Sequence, residues 1–184
     1  MKKNVLILLF VLSFVQNVKG QAYDGQGDFK IFGGYTNVGG KSGVDIQIDF
    51  GLGDLVSLGL KLTTLIKPDD REVLDSFDIT FQKAEAIDYG SFVRFHFSEP
   101  LNLSEKLDPY LGFDITFKSL GPHIGFKYNF SEYVGTYVHY SQSISTSLTG
   151  DHVVNGDTYG HYTDNINYFG NKAGISFGLT VNIF

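Results

Sequence analysis

The sequence contains no cysteine and no tryptophan, a single methionine, and only 14 basic residues among 184. Without sulfur ligands it is neither a disulfide scaffold nor a cysteine-ligated zinc module. Lipid attachment through an N-terminal cysteine is excluded for the same reason. Acidic residues number 20, giving a formal charge of −6 and an isoelectric point near 5.2. Such a chain is a poor nucleic-acid binder. Disorder is excluded by the opposite kind of abundance: 42% of residues are apolar and 15% aromatic. The length suits one domain. Beyond residue 20 there is no apolar run resembling a membrane helix.

The first twenty residues read as an address. Met1-Lys2-Lys3 gives a positive start, and Val5 to Val15 is apolar apart from Ser13. Val18-Lys19-Gly20 then supplies small or modest residues for a processing peptidase. This is the build of a secretory signal peptide, with cleavage expected after Gly20. The competing reading, a membrane anchor, needs a longer run to cross about 30 Å of hydrocarbon. Removal takes away Lys2, Lys3 and Lys19, leaving 11 basic and 20 acidic residues and a charge of −9. A mature product that spans a membrane must then do so with strands.

From residue 27 onward the dominant pattern is alternation with a period of two. Val44, Ile46, Ile48 and Phe50 alternate with Asp45, Gln47 and Asp49. Leu58, Leu60 and Leu62 alternate with Ser57, Gly59, Lys61 and Thr63. The same rhythm runs through 87–97, 111–117, 123–130 and 174–183. Two further β-rich segments, 28–38 and 133–143, are mixed. Eight strands result, most of roughly 9–11 residues, the length a tilted strand needs to cross a bilayer.

The connections differ in length on the two sides of this meander. The long polar ones, 67–85 and 144–171, fall on one side, with both termini on the other. Short turns on one side and long loops on the other is the outer-membrane barrel pattern. The 98–107 connection is longer than that pattern expects. Phe77, Ile79 and Phe81 keep step with Ile87 and Tyr89. The stretch 76–97 is therefore expected to be one long strand that rises above the membrane. Asn155-Gly156 favours a two-residue hairpin turn, so the 144–171 loop is expected to carry a projecting β-ribbon.

Alternation alone does not say which face is wet. A soluble lipocalin-like barrel is apolar inside, and a membrane barrel inverts this. Here the polar face is rich in Gly, Ser and Asp with isolated bases, which suits a narrow interior. Phe29, Tyr35, Tyr89, Phe97, Phe117, Tyr128, Phe130 and Tyr133 lie near strand ends, as interfacial girdles require.

With these features the mature chain resembles the small, porin-like eight-stranded outer-membrane barrels of Gram-negative bacteria, the OmpX/OmpW/OmpA-barrel type. The terminal Phe184 is similar to the aromatic signal read by the outer-membrane insertion machinery. It departs from that pattern in parity, lying opposite Ile183, Val181 and Leu179, and so requires a terminal bulge or a relaxed signal.

The interior of eight strands is just wide enough to be filled by side chains. The polar parity places there Asp45, Asp49, Asp88 and Asp114 together with Lys61, Arg94, Lys118 and Lys127, with His96 and His123 nearby. Unpaired interior charge is costly, so a cross-barrel network is expected, with Arg94 taking a carboxylate bidentately. A structural plug is favoured over a proton or ion path.

Candidate chemistry is sparse. His139-Tyr140-Ser141 resembles locally an outer-membrane lipid A deacylase family, but Gln142 stands where that family has asparagine. Its nearest downstream acid, Asp151, lies in a loop, so the orienting third group is poorly placed. Asp69, Asp70, Glu72, Asp75 and Asp78 form an acidic cluster that reads first as a solvated loop and second as a cation bridge to lipopolysaccharide. His152 and His161 imply no ligand geometry. The glycine pairs do not sit between strand and helix, so they form no phosphate cradle.

The expected fold is all-β, an eight-stranded antiparallel up-and-down transmembrane β-barrel over residues 21–184. It is expected to be monomeric, in a bacterial outer membrane, with no catalytic residue, cofactor or metal assigned. The expected role is non-enzymatic: structural, or adhesion and partner binding through the outer loops, in contact with lipid and lipopolysaccharide. The alternatives are a narrow channel for small or hydrophobic solutes, a lipid A-modifying hydrolase, and a soluble periplasmic ligand-binding barrel.

Overall fold

Each alternating stretch of the sequence becomes one strand. The computed structural model describes residues 21–66, 86–144 and 168–183. Within them lie β1 (Phe29–Val38), β2 (Lys41–Gly51), β3 (Val56–Leu65), β4 (Ile87–His96), β5 (Leu107–Thr116), β6 (Leu120–Asn129), β7 (Val134–Gln142) and β8 (Ala173–Asn182). Every strand pairs antiparallel with its neighbours in the chain. β1 also pairs with β8, from Lys30↔Asn182 to Val38↔Gly174, so the sheet closes into an eight-stranded up-and-down barrel. Closure leaves no unpaired edge.

The two ends are built differently. β1 and β2 are joined by Gly39-Gly40, with φ of +57° and +87°, and Val38 faces Lys41 across the turn. Positive φ at both central residues belongs to a type I′ hairpin, whose twist matches the strands and which glycine adopts without strain. The 66–86 and 143–172 connections leave from this same end. The extension of β4 back to 76, the Asn155-Gly156 turn, the acidic cluster, His152, His161, the first twenty residues and Phe184 all lie outside the described residues.

At the other end, residues 21–28 fold back into the barrel mouth. Ala22 N–H donates to the Glu105 carbonyl at 2.7 Å, Asn129 Nδ2 donates to the Gln21 carbonyl at 2.6 Å, and Gly51 N–H donates to the Asp28 carbonyl at 2.8 Å. This explains the length of the 97–106 connection: it is the outer brace of an N-terminal plug.

The barrel is turned inside out relative to a water-soluble one. Leu60, Ile124, Leu179 and Phe177 point outward and are more than half exposed. Asp45, Arg94, Lys127 and Asp108 point inward and show no exposed surface. This orientation removes the soluble ligand-binding barrel from consideration, because the greasy rows enclose nothing. The end aromatics form two tiers: Tyr35, Tyr89 and Phe117 toward the Gly39-Gly40 end, and Phe29, Phe97, Tyr128, Phe130 and Tyr133 toward the termini. Tyr89 and Phe117 pack with ring centroids 4.4 Å apart.

Candidate functional site

The interior wall holds the chemically loaded side chains. Bulky groups fit because they face glycines: Phe92 lies opposite Gly59, Tyr110 opposite Gly125, and His123 opposite Gly112. A Cβ on Gly59, Gly112 or Gly125 would overlap Phe92, His123 or Tyr110 respectively. Large side chains thus interdigitate with absent ones, which lets them occupy the tube.

Near the termini, the N-terminal plug meets a polar network. Tyr23 stacks on His96 with centroids 3.6 Å apart and planes 9° from parallel. The Tyr23 hydroxyl lies within reach of the Gly53 and Val56 carbonyls, at 2.6 and 2.7 Å. Burial pushes this phenol's pKa upward, which keeps it protonated and donating. His96 bridges Asp108 Oδ2 at 2.7 Å and the Ser57 hydroxyl at 2.8 Å. Asp108 Oδ2 is also 2.9 Å from Lys127 Nζ, and Lys30 pairs with Asp28 at 2.6 Å.

At mid-height, Arg94 is wrapped by rings. Its guanidinium carbon is 4.0 Å from the Phe92 ring centre, 4.6 Å from Tyr110 and 4.9 Å from Phe32. Nη1 donates to Asp49 Oδ2 at 2.9 Å, while Nη2 donates to the Gln47 carbonyl oxygen. The expected bidentate grip on one carboxylate is therefore corrected: the fork is split between Asp49 and Gln47. Both acceptors lie on β2, so each arm finds a separate oxygen.

Toward the Gly39-Gly40 end the remaining expected residues gather. Asp45 accepts from Thr63 Oγ1 at 2.8 Å and from Gln47 Nε2. Lys61 Nζ is 3.1 Å from Asp114 Oδ2. Asp88 accepts from Thr116 at 2.7 Å, Ser119 at 3.1 Å and the Lys118 main-chain N–H at 3.0 Å. Lys118 itself sits in the 117–119 turn, half-buried at the rim rather than in the interior. Asp114 also faces two imidazoles: His123 Nδ1 at 2.9 Å from Oδ1, and His139 Nε2 at 3.9 Å from Oδ2. The ligand atoms of Asp114, His123 and His139 all lie within 4.8 Å of one another.

Beside Asp114 is a cavity of about 30 Å³, lined among others by Lys61, Asp88, Ser119, Ser141 and Ser176. Above it, Leu65, Ala86, Tyr168 and Phe169 form a small apolar cap with Val38 packed against it. His139 meets the Tyr110 hydroxyl at 3.4 Å through Nδ1 and faces Asp114 through Nε2. Neither nitrogen bonds Ser141, whereas a base that activates a nucleophile is hydrogen-bonded to it. Asp151 lies outside the described residues.

A family model described as DUF6646, a family of unknown function, matches residues 11–179. The chain belongs to that family. No curated protein matches the chain. Among solved structures, this DUF6646 barrel is similar to a de novo designed transmembrane β-barrel, at 8% identity and a TM-score of 0.55, over 87% of this chain and 98% of that one. It is similar to the N-terminal β-barrel domain of OprF from Pseudomonas aeruginosa, at 14% identity and a TM-score of 0.50, over 87% of this chain and 100% of that one. The outer membrane protein OprG from Pseudomonas aeruginosa also matches, at 12% identity and a TM-score of 0.39, over 90% of this chain and 96% of that one. The first two likenesses bear on the fold alone.

Several interior residues of the DUF6646 barrel escape the alternation. Lys30, Phe32, Asp108, Tyr137 and His139 face inward and are buried. Phe32, Phe92 and Tyr137 are apolar or aromatic on the polar parity of their strands. Their signal in the sequence is an aromatic set among glycines and charges, where a lipid-facing row would have put it one position away.

Proposed function

We propose that the chain is a non-enzymatic outer-membrane β-barrel protein of a Gram-negative bacterium. It crosses the bilayer with β1 to β8 and presents the 67–85 and 144–171 loops at the cell surface. The observation that carries this reading is the pairing of a continuous apolar outer wall with a charged, tightly filled interior. A barrel with that wall in water would expose apolar area far beyond what soluble monomers tolerate. In a bilayer the same wall meets hydrocarbon, and the two aromatic tiers meet the headgroups. Among the described residues no helix is long and apolar enough to cross a membrane.

The role follows from where material is available for recognition. Lipid and lipopolysaccharide cover the outer wall, the interior is filled, and the loops are left to adhere or to capture a partner. A projecting ribbon in 144–171 would offer strand edges that can accept another strand. The barrel itself works as a monomeric anchor.

The test is fractionation with surface proteolysis. The chain should co-purify with outer membranes, migrate differently on gels before and after boiling, and lose the 67–85 and 144–171 loops to protease added to intact cells. Recovery in the aqueous periplasmic fraction would overturn the reading. Purified protein in a planar bilayer should give a flat current trace, because Arg94, Phe32, Phe92 and Tyr110 fill the tube. Steady single-channel steps would favour the narrow channel instead.

A further inference from the structure

We propose that Asp114, His123 and His139 form a binding site for one divalent transition-metal cation of the zinc type inside the barrel. The three residues come from adjacent strands: β5, β6 and β7. Asp114 pairs with Gly121, two rungs from His123, and His123 pairs with Ser141, two rungs from His139. They thus form a diagonal row, a spacing across which long side chains still meet. Two imidazoles and one carboxylate are a donor set suited to zinc and its neighbours.

Three observations point to a cation. First, all three side chains are at most 6% exposed, and Asp114 Oδ1, both His123 nitrogens and His139 Nε2 make no hydrogen bond. His123 Nδ1 lies 2.9 Å from Asp114 Oδ1, an ion-pair contact that a bound ion would replace. Burying unsatisfied polar atoms is costly, and a metal ion would take Asp114 Oδ1, one His123 nitrogen and His139 Nε2 together.

Second, the interior around the site is rich in carboxylate. At the Gly39-Gly40 end Asp45, Asp88 and Asp114 share the interior with Lys61, while Lys41 and Lys118 add positive charge at the rim. A cation beside Asp114 meets attraction from all three carboxylates.

Third, there is space beside the site. Asp114 lines the 30 Å³ cavity on the side of the Gly39-Gly40 end, with Lys61 and Asp88 on the same cavity. The ion would bind Asp114 Oδ1, leaving Oδ2 with Lys61. The cavity has room for about one water as a fourth ligand.

The test uses the full chain folded in detergent micelles and stripped with EDTA, then titrated with Co²⁺ and with Zn²⁺. One equivalent of Co²⁺ should bind with a visible d–d band, Zn²⁺ should displace it, and the unfolding midpoint should rise. His123→Gln and His139→Gln should each weaken Co²⁺ binding at least about tenfold. The double variant His152→Ala/His161→Ala should bind as tightly as the parent. Folding of each variant is checked by its gel mobility before and after boiling. Should a lumen variant fail to fold, the parent's histidine ring resonances decide: Co²⁺ must perturb those of His123 and His139 before those of His152 and His161. Absence of stoichiometric binding overturns the proposal. Binding lost in the loop double variant and kept in the lumen variants overturns it as well.

Discussion

On β3, Leu58, Leu60 and Leu62 point out of the barrel while Ser57, Gly59, Lys61 and Thr63 point in. The two walls share every strand, yet their demands differ. On the outside each position needs only to be apolar, since its neighbours are other apolar side chains and, as proposed here, lipid. On the inside each position has named partners: Phe92 needs Gly59, Arg94 needs Asp49 and Gln47, and His96 needs Asp108, Ser57 and Tyr23. The outer wall is specified by class and the inner wall by identity. Tolerance to substitution should therefore divide by parity along one strand.

The sharpest break of this comparison is Arg94→Leu. It keeps bulk among Phe32, Phe92 and Tyr110 but strands the Asp49 carboxylate in the interior. Loss of one partner of a buried pair costs about 3–5 kcal/mol. Urea unfolding in micelles, followed by far-UV circular dichroism because the chain has no tryptophan, measures this. Arg94→Lys should recover little, since an ammonium cannot span Asp49 and Gln47 as the guanidinium fork does. An unchanged midpoint for Arg94→Leu would mean that water reaches the interior and screens Asp49.

The converse change places a charge on the outer wall. Leu60 is central in β3 and 62% exposed, so Leu60→Arg should be nearly silent if that wall meets water. In a bilayer it should cost about 2–4 kcal/mol. Folding into lipid vesicles, compared with folding in micelles, reads the difference directly.

How much of this was readable from the residues follows from the physics of a strand. Side chains alternate strictly, so the eight strands and the shared parity of Asp45, Asp49, Lys61, Asp88, Arg94, Asp114 and Lys127 follow from a period of two, while the inward direction of that parity follows from its small and mixed-charge composition. Lys118 keeps that parity, but its strand has already ended at Thr116, leaving it in a turn. The split grip of Arg94 depends on side-chain reach across the tube, which no linear pattern encodes. Nor does any pattern announce the N-terminal plug: Tyr23 and His96 are 73 positions apart and meet only after closure. The row of Asp114, His123 and His139 is hidden for the same reason, because its spacing is set by register between three strands. Inward aromatics such as Phe92 and Tyr110 are harder still, since hydrophobicity alone assigns them to the other wall. Only their glycine partners across the sheet betray them.

A subtler break is Gly125→Ala. One methyl group would overlap the Tyr110 ring across the β5–β6 pair. Overpacking of this kind costs about 1–3 kcal/mol. Tyr110 also contacts Arg94 and His139, so it has little freedom to retreat. A melt of the variant in micelles gives the cost. A neutral result would show that the interior is loosely packed and that the glycine positions reflect backbone geometry alone.

The smallest effect is expected from Leu179→Ile on β8. Leu179 is 56% exposed and sits between Gly33 of β1 and Thr136 of β7. With a small neighbour on each side there is no jigsaw for the branched isomer to violate, and volume-conserving apolar swaps cost less than about 1.5 kcal/mol even in cores. Lipid adapts to either shape, so the change should be close to neutral in vesicles and in micelles alike. The value of the measurement lies in the contrast with Gly125→Ala. If the outer swap proved as costly as the inner one, the β8–β1 face would be packed as specifically as the interior. Fluid lipid cannot impose that specificity. A second protein surface against Gly33, Tyr35, Phe177 and Leu179 would then have to be part of the assembly, and the monomeric anchor would give way to a complex.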